Sequence, residues 1–487
     1  MDELISLIGI MRVGEKRMLK HMLSRTTNAE ENLRLRLFEL LEGGGNIDEA
    51  VKPLMASTSK SSFSHLKGRL KEDILSVLLV KESSKRIAQA NRAAQFECVK
   101  KIAQAYILIF RGAKKQGATI LRSAEQLAIK YELSAELVSI HHITREALFT
   151  FTDGKQLNEV NASIRNGVEK WRDILRSEEL SFLLTLPQLK SDLLLVEEEG
   201  FENDLIDELK QLYEKSEAAR IGFWYYMADV ENSIEHKRFD HAIEQGLKFL
   251  KLVEKSPAIR SRNNMAGVNQ SLGFAYLNLR NYAKSRKHLK QSELLFPSAG
   301  FNRLQCLQFL FQAEIAVNRL DKARETLTKA ISHPRIEARE SLKPRWLFLK
   351  ACLHFLEGDV NAAFKTLNQD GYLVRQQDEW NIQFRLLEMM ILIERNDEEW
   401  LEFKLDSTRK YLTRYKTLNT PRVRTAIDLI SNLLRKNFDF KGITEKNLAQ
   451  LKLCLEEKEG YEWNPAGVEM VRFDFWLQKK LPTQEAE

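Results

Sequence analysis

The reactive side chains of this 487-residue sequence are scattered, and their spacing assembles none of the arrangements that catalysis or metal binding requires. Cys98, Cys306, Cys352 and Cys454 lie far apart with no paired spacing. Each falls within an apolar helical pattern, which reads as a buried free thiol rather than a disulfide or zinc ligand. His141 and His142 are adjacent, so on a helix they point to different faces and make a poor shared metal site. His236 and His241 flank a turn, where exposed polar residues belong. Glu197, Glu198 and Glu199 form an acidic run in a stretch that reads as a solvated linker. There is no Gly-rich phosphate loop, His-Glu-x-x-His, nucleophile elbow or Cys-x-x-Cys. The expectation is a protein that is not an enzyme, carries no metal or cofactor, and works through its surface.

The elements presenting that surface are helices. Only 21 Gly and 9 Pro interrupt the chain, while 44% of it is hydrophobic and 29% charged, which predicts helix nearly throughout and an extended repeat array. No apolar run is long enough to span a membrane, and the N-terminus MDELISLIGIMRVGEK lacks the form of a signal peptide, so the expected location is cytoplasmic. The net charge of +7 is uneven: about +9 over residues 1–130, about −9 over 131–260, about +7 over 261–390 and about zero beyond.

The stretch Asn269 to Pro297, NQSLGFAYLNLRNYAKSRKHLKQSELLFP, organises the rest. Leu272 and Tyr276 stand one turn apart on a first helix, and Gly273 between them lets a second helix approach closely. Ser285, Leu289 and Ser292 form an i, i+4, i+7 stripe on that second helix, and Pro297 stops it. This spacing resembles the tetratricopeptide repeat. Asn269 stands where the family usually carries Trp, and Ser285 and Ser292 where it carries Ala; each serine is expected to bond back to the carbonyl one turn earlier. A small residue recurs as Ala242, Ser285, Ala323 and Ala363, at intervals of about 43, 38 and 40 residues against the family's 34. Phe239, Tyr282, Leu320 and Val360 stand three before each.

The resemblance implies an all-α fold, a right-handed α-α superhelical solenoid of antiparallel helical hairpins. The expected divisions are a basic helical segment over 1–85, degenerate repeats over 86–200, tetratricopeptide-like repeats over 201–400, and C-terminal helices with a cap over 401–487. Pro187 and the acidic run after it mark the expected break. The cap is expected to lay Phe475 and Trp476 on the last hairpin, with PTQEAE frayed. In layout the chain is similar to bacterial tetratricopeptide-repeat proteins that open with a short helix containing Glu-Lys-Arg, here Glu15, Lys16 and Arg17, a group that implies no particular activity.

In that family the first helices of successive hairpins line a groove that binds peptides. By repeat register the implied groove positions are Trp224, Met227 and Glu231, then Gln270, Phe274 and Asn278. The next two rows are Gln305, Gln308 and Gln312, then Arg345, Phe348 and Phe355. Amides pair with a peptide backbone and aromatics offer apolar pockets, so the leading reading is a scaffold that binds a protein or peptide. These rows lack the Lys, Arg and Asn set with which some members grip an acidic chaperone tail, which argues against that partner.

The alternative is a ligand-responsive nucleic-acid-binding regulator. In STSKSSFSHLKGRLKEDILSVLL, Phe63, Leu66, Leu70, Ile74, Val77 and Leu78 form the buried stripe, flanked by Lys60, Lys67 and Lys71 on one side and Arg69 on the other. Those cations are the candidate phosphate contacts.

Overall fold

The scarcity of breakers is realised as helix. The computed structural model describes residues 2–24, 29–43, 52, 60–81, 89–148, 154–185, 201–338, 342–369 and 379–481, and all regular structure among the described residues is α-helix or short 3-10 turn. Apart from Lys52, the helix expected over NIDEAVKPLMA lies outside the described residues, as do the glycines Gly44 and Gly45, the break at Pro187 and the terminal PTQEAE. Internal contacts divide the chain into two units, Met1–Ala128 and Ile129–Glu487.

The first unit contains α1 (Asp2–Ile10), α2 (Val13–Ser24), α3 (Ala29–Glu42), α4 (Lys60–Lys81), α5 (Ala90–Phe110) and most of α6 (Lys114–Lys130). Phe63, Leu66, Leu70, Ile74 and Val77 of α4 are buried against Leu19, Leu37 and Phe38, and Leu78 packs at the edge of that cluster. Gly117, Leu121 and Ala124 form the buried stripe of α6, where the Cys98 thiol meets the Ala124 carbonyl oxygen at 3.4 Å.

The second unit begins with α7 (Ser134–Leu148), the long α8 (Gly154–Thr185) and α9 (Phe201–Ser216). Gly154 opens α8. Five hairpins follow: α10 (Ala219–Glu235) with α11 (Phe239–Lys255), α12 (Arg262–Asn278) with α13 (Tyr282–Leu295), and α14 (Phe301–Ile315) with α15 (Leu320–Ile331). After the short α16 (Pro334–Ala338) come α17 (Lys343–Leu356) with α18 (Val360–Leu367), and α19 (Glu379–Glu394) with α20 (Glu398–Arg414). The chain ends with α21 (Pro421–Arg435), α22 (Glu445–Leu455) and α23 (Phe473–Lys480).

The five hairpins turn by one mechanism. At each turn a residue takes the left-handed conformation: Lys237, Arg280, Asn318, Gly358 and Asn396, with φ of 58°, 58°, 54°, 85° and 53°. The next residue then donates its N–H to a carbonyl five positions back, as from Asn281 to Tyr276 at 2.9 Å and from Asp359 to His354 at 2.9 Å. This is a Schellman closure, which satisfies carbonyls the helix end would leave orphaned. Phe239, Tyr282, Leu320 and Val360 each open a second helix, and Ala242, Ser285, Ala323 and Ala363 are buried three residues on. The fifth hairpin carries Leu401, fully buried, at the equivalent place.

Inside the anchor hairpin, a Cβ on Gly273 would come within 2.6 Å of Leu289 Cγ, so only glycine admits α13 this closely. The two serines differ from expectation. Ser285 Oγ donates to the Gly273 carbonyl at 2.8 Å and Ser292 Oγ to the Ala266 carbonyl at 2.9 Å, so each hydroxyl bonds across to the partner helix rather than back along its own. Asn269, in the usual Trp position, is buried and accepts from His288 Nδ1 at 2.9 Å.

From α7 to α15 and again from α17 to α23 each helix packs on its successor, and the first helices of neighbouring hairpins also touch: α10 with α12, α12 with α14, α17 with α19, and α19 with α21. That second set of contacts puts the first helices on a common inner face. The protein is thus an array of antiparallel helical hairpins of the tetratricopeptide type.

Candidate functional site

On this inner face α10, α12 and α14 leave a cleft of about 480 Å³. Its apolar walls come from Phe223, Met227 and Ile234 on one side and from Phe274 and Phe309 on the other, the last two rings 4.7 Å apart. Its polar lining is almost entirely amide: Asn263, Asn264, Gln270, Asn302 and Gln305. Gln270 Nε2 donates to Gln305 Oε1 at 3.1 Å, joining α12 to α14 across the floor. Gly267 also lines the cleft, and a Cβ placed there meets nothing within 4 Å. Glu231 is the single charged residue of the lining. Desolvation by the surrounding protein raises its carboxyl pKa above the usual 4.5 even though the side chain reaches solvent through the mouth of the cleft.

Five of the positions implied by repeat register therefore meet in one place: Met227, Glu231, Gln270, Phe274 and Gln305. Trp224 is not among them. It lies one residue off the stripe 223, 227, 231, 234, so it packs edge-on against Phe223 at 4.9 Å and beside the cluster of Leu180, Leu205 and Leu209, and Phe223 takes the cleft position instead. Asn278 turns back to its own helix, donating from Nδ2 to the Phe274 carbonyl at 2.9 Å. Gln308 is half-buried outside the cleft lining.

Further along, the inner face is already filled by the protein itself. The non-helical residues 456–472, between α22 and α23, run back across it. Gln312, expected to await a ligand, is 2% exposed, and its Nε2 donates to the carbonyls of Ala466 and Gly467 at 3.2 and 2.7 Å. Phe348 is 2% exposed and belongs to the core, edge-on to Trp380, over whose ring the Arg345 guanidinium lies at 5.1 Å. Met470, Val471 and Phe473 pack against Phe348, Cys352 and Met390, and the Phe355 and Trp476 rings meet at a tilt, 6.5 Å apart.

Ionic contacts hold the segment in place. Arg422 is buried and grips Glu469 through Nε and Nη2 at 2.7 and 2.8 Å, Asp474 at 3.1 Å and the Tyr461 carbonyl at 3.1 Å. Arg472 pairs with Asp474 and with Glu457, and Glu457 also pairs with Arg280 at the turn of the anchor hairpin. Burial pushes the Asp474 carboxyl up, but Arg472 and Arg422 outweigh it and hold the pKa below the usual 3.8. Of the expected cap, Trp476 lies on the fifth hairpin, donating from Nε1 to Glu394 at 2.6 Å on α19, but Phe475 is exposed and Phe473 and Leu477 face inward in its place.

All four cysteines are free and buried, and burial pushes the thiols of Cys306 and Cys454 up to about 12 and about 11. His241 Nε2 sits 3.1 Å from both carboxylate oxygens of Asp229.

The N-terminal cations are placed in the first unit. Lys71 is paired with Glu3, Lys67 lies over the Phe63 ring at 5.6 Å, and Arg69 projects from the exposed face of α4, which begins at Lys60. Lys16 and Lys20 both meet Glu42. With Lys71 neutralised and Lys67 laid on a ring, the placement does not support the nucleic-acid reading of residues 1–85.

No protein-family model matches the chain, and no curated protein matches it. Among solved structures it is similar to a Rap protein complexed with competence and sporulation factor, at 14% identity over 79% of this chain and 98% of that one, with a TM-score of 0.39. It is also similar to the apo form of RapI, at 9% identity over 79% and 98%, with a TM-score of 0.46. A third is a signal transduction ATPase with numerous domains and a tetratricopeptide repeat sensor from Pyrococcus horikoshii, at 13% identity over 88% of this chain and 56% of that one, with a TM-score of 0.41. The likeness is one of helical-repeat layout. Among the described residues no helix is long and apolar enough to cross a membrane.

Proposed function

We propose that this protein is a non-enzymatic scaffold whose cleft on α10, α12 and α14 binds an extended peptide segment of a partner protein. The observation that carries the reading is on α14 itself. Gln312 holds two backbone carbonyls of the chain's own non-helical segment through Nε2, and two turns earlier Gln305, whose Oε1 accepts from Gln270, lines the cleft with its Nε2 uncommitted among the described residues. An amide offers one donor and one acceptor group to a passing backbone, and the flanking Phe223, Phe274 and Phe309 offer pockets for alternate side chains. The size suits a few residues of an extended chain rather than a folded domain.

Gly267 supplies the test. Because Gly267 lines the cleft and nothing lies within 4 Å of its missing Cβ, Gly267→Ala barely intrudes, and Gly267→Trp is the variant designed to fill the cleft. With fluorescent extended-peptide pools and the full chain, the wild type and Gly267→Ala are expected to bind, and Gly267→Trp to bind at least about tenfold more weakly at an unchanged melting temperature. Equal binding by the Trp variant, or no binding of any pool by the wild type, overturns the proposal.

A further inference from the structure

We infer that the occupant of the cleft carries an arginine or lysine side chain that pairs with Glu231, flanked by apolar residues that fill the aromatic pockets. The inference rests on the cleft being a peptide site and adds the chemistry of its ligand.

Three observations converge. First, among the described residues the Glu231 carboxylate makes no hydrogen bond or ion pair, and it is the one charged group that lines the cleft. Second, the protein beside Glu231 offers no counter-charge: partial desolvation raises its pKa and no cation opposes the shift, while the residue stays open to solvent and to a ligand. A cationic side chain entering the cleft finds there an unpaired carboxylate, which gives it both a charge-assisted hydrogen bond and specificity. Third, the rest of the lining is uncharged and includes the Phe274–Phe309 pair, whose ring faces accept a guanidinium or the alkyl stem of a lysine. An acidic ligand meets the opposite situation: no lining cation to pair with, and a like charge at Glu231.

The source of the positive charge is assigned to a side chain. Glu231 stands on the wall formed by α10, and the amides of Gln270 and Gln305, which suit a continuing backbone, bridge the floor beside it.

The test uses the full chain and four pools of blocked decapeptides, N-acetylated and C-amidated, with the central position fixed as Arg, Lys, Ala or Glu and random apolar or small residues on either side. A fifth pool has Ala at the centre and a free amino terminus. The Arg and Lys pools are expected to bind about tenfold more tightly than the Ala pool, with the Glu pool weakest. Glu231→Gln should abolish that preference, and Glu231→Lys should invert it in favour of the Glu pool. Thermal melts of both variants control for folding. If the pools bind and Gly267→Trp abolishes binding, but the central residue makes no difference, the charge assignment falls and the peptide-binding cleft stands. A basic preference that survives Glu231→Lys also overturns the assignment, as does binding confined to the free-amine pool. Failure of every pool to bind overturns both readings.

Discussion

Gln312 Nε2 lies 2.7 Å from the carbonyl oxygen of Gly467, 155 residues later in the chain. That hydrogen bond divides the inner face: beyond Gln312 the protein is its own occupant, and before it α10, α12 and α14 leave a cleft. Gln312→Ala strands two carbonyls against a buried wall, at a cost of about 1–3 kcal/mol. The expected result is a lower urea midpoint with unchanged slope, together with faster proteolytic cleavage within residues 459–472. An unchanged midpoint and digestion pattern would show that the segment is held elsewhere.

Arg422 is the stronger clasp. Replacing it with Met leaves Glu469 and Asp474 buried without their shared guanidinium, which should cost about 3–5 kcal/mol. Equilibrium unfolding of Arg422→Met reads this directly. A loss under 1 kcal/mol, about the value of a surface pair, would argue that the cluster is already hydrated.

The anchor hairpin separates packing from hydrogen bonding. Gly273→Ala drives a methyl to within 2.6 Å of Leu289 Cγ and should cost about 1–3 kcal/mol. Ser285→Ala removes only the cross-helix bond to the Gly273 carbonyl, which keeps its own helical donor, and should cost about 0.5–1.5 kcal/mol. Thermal melts of the two variants should rank them in that order; the reverse order would contradict the close approach.

Acid should loosen the same hairpin. Burial, aided by Lys287 and Lys284, holds the His288 pKa below the usual 6.5. The unfolded chain therefore takes up a proton that the folded chain refuses, so stability is complete above about pH 6.5 and falls as pH drops from there toward the folded value. His333, lowered by burial and then Arg303, acts in the same direction. Compared between pH 7.5 and 5, His288→Gln should lose less unfolding free energy than the wild type, and parallel curves would remove His288 from the effect.

The hairpins could be read in the sequence because their periodic small residues answer a local demand: close approach needs Ala or Ser at 242, 285, 323 and 363. The fifth hairpin escaped because Leu401 is large and still buried at that place, so its signature lay instead in the Asn396 turn. The serine hydroxyls were misdirected because their acceptors lie on another helix, which no local pattern reveals. Repeat register found Met227, Glu231, Gln270, Phe274 and Gln305 but placed Trp224 one residue out of phase, and the i, i+4 relation of Phe223 to Met227 was the available signal. Gln312 and Phe348 had the correct helices. What fills the face beside them arrives from residues 466–473, more than a hundred positions away, a tertiary contact that side-chain periodicity does not encode.

The most direct measurement is hydrogen exchange on the full chain with and without a bound peptide taken from the Arg or Lys pool. Binding at the cleft should slow exchange in Asn263–Asn278 and Phe301–Phe309 and leave residues 459–472 unchanged. Protection that misses α12 and α14, or exchange that quickens across 459–472 as the peptide displaces the chain's own segment, would contradict a site confined to the cleft.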